Sequence, residues 1–377
     1  MKLFEYQAKE VFVAQGLSVP QGSIATDSSG AEQAAVAIGF PCVLKSQVLR
    51  GGRGKAGLIK VVHSPQEAEK TARELFDSPH GVRKILVEKA VDIARELYLS
   101  ITVDPLSARA LILACADGGV EIETLARTAP EKIVREYVDL DLGLLPFTTR
   151  NCAYGLGLEG DLAKKFAQVV ETLYKVFRST DAELAEINPL FVTKSEDLVA
   201  GDGKLSMDDN SMFRHPEWEP ERDYFGSEVE FEAYKEGIPY LQFDGDISLM
   251  CAGAGLTTTV YDLIADAGGT VANYLEFGGP NYRKGLKAME LCVKNAPKVI
   301  LIVTFGTIAR ADVMAEGIVQ AMEALKPKCP IVVCIRGTGE DAAAATLKAV
   351  GLDPLTDTEV EVKRAVELAG ALAGAAV

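Results

Sequence analysis

From Ile247 onward, short apolar runs alternate with longer stretches in which apolar positions recur every three or four residues, and a glycine-bearing turn follows each run. The runs Ile247–Cys251, Thr270–Leu275, Lys298–Thr304 and Ile331–Ile335 predict strands. The stretches Leu256–Ala267, Tyr282–Asn295, Ile308–Leu325, Glu340–Val350 and Glu359–Ala375 predict helices. Alternation of this kind implies a parallel sheet covered on both faces, hence a doubly wound C-terminal third. Upstream the pattern is different. Strand-like runs come in pairs, Leu97–Val103 then Ala108–Cys115, as antiparallel hairpins do. One helix is plain: Asp161–Phe177 places Leu162, Phe166, Val169, Leu173 and Val176 on a period near 3.6. The first two-thirds is therefore α+β, and the polar, proline-rich stretch His215–Arg222 marks a boundary.

At 377 residues with a 48% hydrophobic fraction, two or three packed domains are expected. The formal charge of -15 disfavours nonspecific association with nucleic acid or an anionic membrane, so any anionic ligand must be met by a local group of cations. Lys2, Glu5, Lys9 and Glu10 interrupt the apolar residues of the first 14 positions, which argues against a secretion signal. No run approaches membrane-spanning length. The seven cysteines are scattered without a metal-ligand spacing, as buried reduced thiols of a cytoplasmic protein would be.

Three segments could carry chemistry. In Lys45–Gly57 a strand ending in lysine runs into a loop with glycines at 51, 52, 54 and 57 and basic residues at Arg50, Arg53 and Lys55. Glycines let backbone N–H groups approach a polyphosphate and the cations offset its charge, although a flexible basic loop would read similarly. Glu88, after Ile85-Leu86-Val87, and Glu96 sit at strand ends where carboxylates can accept hydrogen bonds from ribose or an amino group; alone they are ordinary surface residues. Finally, Glu186 and Asn188 lie two apart on a strand, on one side of it, with Asp202 on the strand that follows. Such hard oxygen donors beside phosphates suit Mg²⁺; the alternative is a polar hairpin turn.

In order along the chain, Leu3–Glu10, the Gly51–Gly57 loop, Leu86-Val87-Glu88, Asp92–Leu99, Gly118–Glu123, Glu186–Pro189 and Asp202–Leu205 resemble the β subunit of succinyl-CoA synthetase. The resemblance implies an ATP-grasp domain over about residues 1–230, with a subdomain at about 21–100, and a doubly wound, flavodoxin-like CoA-ligase domain over 236–377. It implies ATP or GTP contacts from Lys45, Arg53, Gly54, Lys55, Val87, Glu88 and Glu96, magnesium on Asn188 and Asp202, and Glu186 beside a phosphorylated histidine. None of the chain's three histidines, His63, His80 and His215, lies in a glycine-rich active-site context. The family supplies that histidine and the main CoA-binding domain from an α subunit, so a heterodimer or heterotetramer is implied. The implied reaction is reversible: acid, CoA and ATP give acyl-CoA, ADP and phosphate through acyl phosphate and phosphohistidine.

The chain departs from that family in the acid-binding loops. Cys251-Ala252 replaces an asparagine-bearing turn, Gly278–Arg283 replaces Gly-Gly-Gly-Ala, Phe305–Ala309 replaces Phe-Gly-Gly-Ile-Val, and Arg336 stands for a glutamate. These changes follow sheet strands, where doubly wound folds bind ligands. They predict a small dianionic acid other than succinate, such as the sulfonated sulfoacetate, contacted by Ala252, Gly306, Thr307, Ile308, Arg283 and Arg336. Succinate and malate are the alternatives, and a non-catalytic nucleotide-binding regulator is the alternative of another class.

Overall fold

In the computed structural model of the chain, which describes residues 1–49, 51–119, 122–354 and 356–374, two compact units meet between Pro220 and Glu221. The loop residue Arg50, Val120 and Glu121 of the glycine-pair segment, and the expected end of the last helix at Ala375 lie outside the described residues.

The first unit holds two antiparallel sheets. Strands β1 (Gly22–Ala25), β2 (Cys42–Ser46), β3 (Ile59–Val62) and β4 (Ile85–Lys89) form one in the order β1-β4-β2-β3. Its apolar face packs on the helices Ser28–Ile38 and Pro65–Phe76, around Leu44, Val62, Ile85 and Val87. Both helices start where the sequence caps them: Asp27 accepts from the Gly30 N–H, and Ser64 accepts from Glu67 ahead of a proline at the first helical position. The second sheet contains β5 (Ile93–Asp104), β6 (Arg109–Cys115), β7 (Ile133–Val138), β8 (Ala182–Thr193), β9 (Leu198–Ala200) and β10 (Lys204–Met207), ordered β10-β8-β5-β6-β7 with β9 also on β8. The helix expected at Asp161–Phe177 spans Gly160–Ser179 and buries Phe166, Val170, Leu173 and Val176 against this sheet.

Side-chain alternation decides what each sheet presents. On β8, Ala185 and Ile187 enter the core, which turns Glu186 and Asn188 to the other face. On β5, Leu97, Leu99 and Ile101 enter the same core, so Glu96, Tyr98 and Ser100 join Glu186, which lies opposite Ser100 in the register. The N-terminal residues run beside β10, with the Leu3 N–H on the Leu205 carbonyl, and lead into helix α1 (Glu5–Ala14). Phe12 of α1 lies where a side chain on Gly203 would clash, its ring 2.7 Å from the place of a Cβ.

The second unit is the doubly wound sheet, with one strand more than the pattern predicts. β11 (Tyr240–Gln242) pairs antiparallel with β13 (Val271–Leu275); β12 (Ile247–Ala252), β14 (Val299–Gly306) and β15 (Ile331–Gly337) complete the order β11-β13-β12-β14-β15. The remaining pairs are parallel, so the expected all-parallel sheet carries an antiparallel edge. Met250, Ile300, Ile302 and Val333 face one helical layer, while Leu249, Leu301, Val303 and Cys334 face the other. The acidic helix Glu228–Lys235 belongs to this unit, its Glu232 tied to Lys287 and Lys294. Among the described residues no helix is long and apolar enough to cross a membrane.

Candidate functional site

Three cations and three carboxylates meet under the phosphate loop. Alternation on β2 sends Leu44 into the small core and Lys45 out of the opposite face, toward α1. Lys45 Nζ lies 2.8 Å from Glu5 Oε1 and 2.8 Å from Glu88 Oε2, and donates to the Gly201 carbonyl at 2.5 Å. Arg53 reaches from the loop to Glu5 Oε2 at 2.7 Å and places one guanidinium nitrogen 2.8 Å from each oxygen of Asp202. Lys9 completes the group at 2.8 Å from Glu5 and 2.5 Å from Glu88. Burial alone would push the Glu5 carboxyl up, but Lys45, Lys9 and Arg53 outweigh it and hold it far below the usual carboxylate range. Burial likewise opposes the charge on Lys45, and Glu5, Glu88 and Asp202 overcome it and raise the ammonium above its ordinary value. Both Lys45 and Arg53 are charged at neutral pH and oriented before any ligand arrives.

The same geometry distinguishes the other expected nucleotide residues. Val87 is fully buried in the small core on a strand paired on both sides, and the two oxygens of the buried Glu88 lie 2.5 Å from Lys9 and 2.8 Å from Lys45. The Glu88 side chain therefore braces Lys9 and Lys45, with Oε1 hydrogen-bonded to Lys9 and Oε2 in ion-pair contact with Lys45 but making no hydrogen bond. Gly54 and Lys55 are exposed in the loop. Glu96 borders the Gly118-Gly119 turn closely: a Cβ on Gly119 would stand 2.6 Å from its carboxylate, and one on Gly118 2.5 Å from the Leu97 carbonyl. Glycine is required at both positions because the turn runs directly over β5.

Glu186 and Asn188 share the open face of the larger sheet. Tyr98 donates to Glu186 Oε2 at 2.9 Å, and the Gly119 N–H donates to Asn188 Oδ1 at 2.8 Å. Burial pushes the Glu186 carboxyl up, against Lys204 and the Tyr98 hydrogen bond, with Asp202 and Glu123 adding to the rise. Burial also raises Tyr98, and the neighbouring Glu186 charge adds to it, so the phenol stays a donor. The Gly201 N–H bonds to the Pro189 carbonyl at 2.9 Å, so Asp202, which lies in the turn between β9 and β10 and not on the strand expected from sequence, follows a residue tied to the Asn188-Pro189 stretch of β8.

At the C-terminal edge of the second sheet, Ala252 ends β12 and Gly306 ends β14, followed by exposed Thr307 and Ile308. The two arginines expected to share the acid are separated. Arg336 has the parity of Val332 and Cys334 on β15 and donates to the Thr356 carbonyl at 3.4 Å. Tyr282 packs on the opposite layer, with Arg283 Nε donating to its hydroxyl at 2.9 Å. Arg310, which follows the Gly306–Ile308 loop, forms a two-pronged pair with Asp312 at 3.0 and 2.6 Å and is also influenced by the Tyr282 hydroxyl. Arg283 is thus held by Tyr282, whereas Arg336 is drawn to the Thr356 carbonyl.

Residues 2–192 match the family described as ATP-grasp domain, and residues 250–375 match the family described as CoA-ligase. The chain is 61% identical over 369 residues to the ADP-forming sulfoacetate-CoA ligase subunit SauC of Bilophila wadsworthia, covering 98% of this chain and 99% of that one. It belongs to the ATP-grasp, ADP-forming acid:CoA ligase family. The corresponding subunit SqwK of an Acholeplasma species is 54% identical, with 98% of this chain and 92% of that one covered. A succinate–CoA ligase β subunit of Pyrobaculum islandicum is 40% identical over 380 residues, covering 98% and 100%. In fold, the chain is similar to ATP citrate lyase from Methanothrix soehngenii, with a TM-score of 0.76 at 21% identity and coverage of 98% and 99%. Its relatives are named as subunits, and an ADP-forming acid:CoA ligase of this kind takes ATP and CoA as substrates and works with a partner chain.

Two residues of this ligase subunit's ATP-grasp site were not expected as functional from sequence. Glu5 and Lys9 enter the sequence argument as charges that interrupt a leader and as part of the resembling Leu3–Glu10 segment, without a role at the site, yet both are buried in the ion cluster. A signal was present: opposite charges four apart on an otherwise apolar helix.

Proposed function

We propose that the chain is the nucleotide-binding subunit of a cytoplasmic heteromeric ligase that joins sulfoacetate to CoA, with ATP cleaved to ADP and phosphate. The observation that carries the choice of acid is the rebuilt sheet edge. Ala252 offers only a methyl group at the end of β12, Arg283 is oriented by the Tyr282 hydroxyl, and Arg310, after the loop that follows β14, is paired with Asp312. A sulfonate presents three oxygens that stay charged at any physiological pH, and guanidinium forks suit such an oxyanion. The two relatives named for sulfoacetate support the same acid.

In the nucleotide half, Lys45, Arg53 and the glycine-rich loop would bind and orient the triphosphate, with Lys55 at its mouth. Asn188 and Asp202 would hold Mg²⁺. They fit it: the carboxamide of Asn188 on β8 and the carboxylate of Asp202 in the turn before β10 are hard oxygen donors, and this ion keeps its remaining positions for water and phosphate. Bound there, the ion supplies charge neutralisation and orientation to the phosphoryl group. Glu186, held by Tyr98, would position the phosphohistidine of the partner α subunit by accepting its ring N–H. That histidine would carry phosphate to the acid, giving acyl phosphate, which CoA then attacks with release of phosphate. Glu186, Asn188 and Asp202 together argue for catalysis over a purely regulatory nucleotide site.

The test is purification of the chain with its partner subunit and assay of CoA-dependent ADP release with sulfoacetate, succinate and malate. Sulfoacetate should give the highest kcat/KM. A kcat/KM for succinate equal to or above that for sulfoacetate would overturn the assignment and leave an ordinary succinate enzyme.

A further inference from the structure

Two α1 residues that carry no assigned part in the reaction are among the most deeply buried charges of the first unit: Glu5 is 5% exposed and Lys9 4%. They stand one helical turn apart, so both face inward. Glutamate and lysine reach such burial only when paired, and removing each ion from water costs several kcal/mol, which an apolar pair would avoid. Their partners show what the charges serve. Glu5 touches all three cations of the group, at 2.8 Å from Lys9, 2.8 Å from Lys45 and 2.7 Å from Arg53. Lys9 donates to Glu88 Oε1 at 2.5 Å and to the Gly201 carbonyl at 2.9 Å, the same residue and the same carbonyl that Lys45 grips. Docking a helix needs one such pair. Here every link that leaves α1 ends on β2, on Arg53 of the glycine-rich loop, on β4, or on the turn before β10.

We propose that Glu5 and Lys9 are positioning residues of the nucleotide site, so that the N-terminal helix is a working part of it. Glu5 fixes the Lys45 ammonium and the Arg53 guanidinium relative to each other, and Lys9 fixes Glu88 and the Gly201 carbonyl ahead of Asp202. The inference rests on the nucleotide role given to Lys45 and Arg53 above. Cations held in place before the polyphosphate arrives spare the ordering cost on binding. Without Glu5 the two lose their shared counter-ion; without Lys9, Lys45 alone must satisfy Glu88 and Gly201.

The experiment uses the full chain with its partner subunit and the variants Glu5→Gln, Lys9→Met, the double variant, Glu5→Asp, Lys9→Arg and, as reference, Lys45→Ala. Glu5→Gln and Lys9→Met should each raise KM for ATP and the Kd of ADP, read by calorimetry, about tenfold or more. KM for CoA and for the acid should stay within about twofold. Glu5→Asp and Lys9→Arg should recover part of the loss. The double variant should lose less than the product of the two singles, because the remaining cations and carboxylates again balance. Unchanged ADP affinity in both single variants, however far the unfolding temperature falls, overturns the positioning role. If Lys45→Ala also leaves ADP affinity unchanged, the nucleotide-site reading fails with it; loss in Lys45→Ala alone overturns only the role of Glu5 and Lys9. Should Glu5→Gln not fold, Lys9→Met carries the same test, since methionine keeps the length of the apolar stem.

Discussion

At the scale of single residues, the site separates groups that bind from groups that act on the transferred phosphate. Glu186 is set apart from the cation cluster, on the open face of β8 with Tyr98 as its donor. Glu186→Gln keeps the size and an acceptor oxygen but loses the charge. It should lower phosphoryl transfer to the partner about 100-fold or more, by analogy with the loss of other positioned acid–base groups, and leave ADP affinity near that of the unaltered chain. Single-turnover phosphorylation of the complex beside calorimetry of the chain checks this; lost ADP binding would contradict it. The two arginines of the sheet edge make a second contrast. Arg283→Ala should raise KM for sulfoacetate about tenfold, and Arg336→Ala markedly less, because Arg283 is oriented by the Tyr282 hydroxyl whereas Arg336 is drawn to the Thr356 carbonyl. Equal effects would place both guanidinium groups on the acid.

At the scale of elements, the strands decide what is legible from sequence. Alternation on β8 and β5 could be read directly, since Ala185 and Ile187 are apolar and Glu186 and Asn188 are not. The same rule applied to β15 would have separated Arg336 from Arg283, because Arg336 continues the row of Val332 and Cys334. β11 was beyond reach: three residues at an antiparallel edge leave no periodicity to detect. The cation cluster could not be read either, for its members lie on α1, β2, β4, the phosphate loop and the turn before β10, and only the sheet registers bring them together. The Gly118-Gly119 turn shows how tightly one element constrains another. Gly118→Ala would drive a Cβ into the backbone of Leu97, and the backbone there cannot move without disturbing β5. The expected cost is about 2 kcal/mol or more in unfolding free energy, with a weakened nucleotide affinity as the Gly119–Asn188 hydrogen bond is displaced. Chemical denaturation and calorimetry on the same samples measure both.

At the scale of the whole chain, an excess of fifteen negative charges surrounds a site for a polyanion. The cluster beneath the phosphate loop does not offset that excess, because Lys9, Lys45 and Arg53 are matched by Glu5, Glu88 and Asp202. An incoming triphosphate therefore meets pre-arranged but already balanced cations, and the Arg53 fork lies over Asp202, the carboxylate proposed for the metal. The nucleotide and its counter-charge are obliged to enter together. On the function proposed above, a triphosphate would offer Arg53 a new acceptor, and Asp202, released by the guanidinium, would hold a divalent ion that supplies the neutralising charge. Affinity for ATP should accordingly fall about tenfold or more when divalent ions are chelated, and divalent ions alone should bind weakly, both measurable by calorimetry on the chain. In that exchange the arginine serves as a placeholder, keeping the metal's seat electrically satisfied until the proper occupant is delivered by the substrate itself.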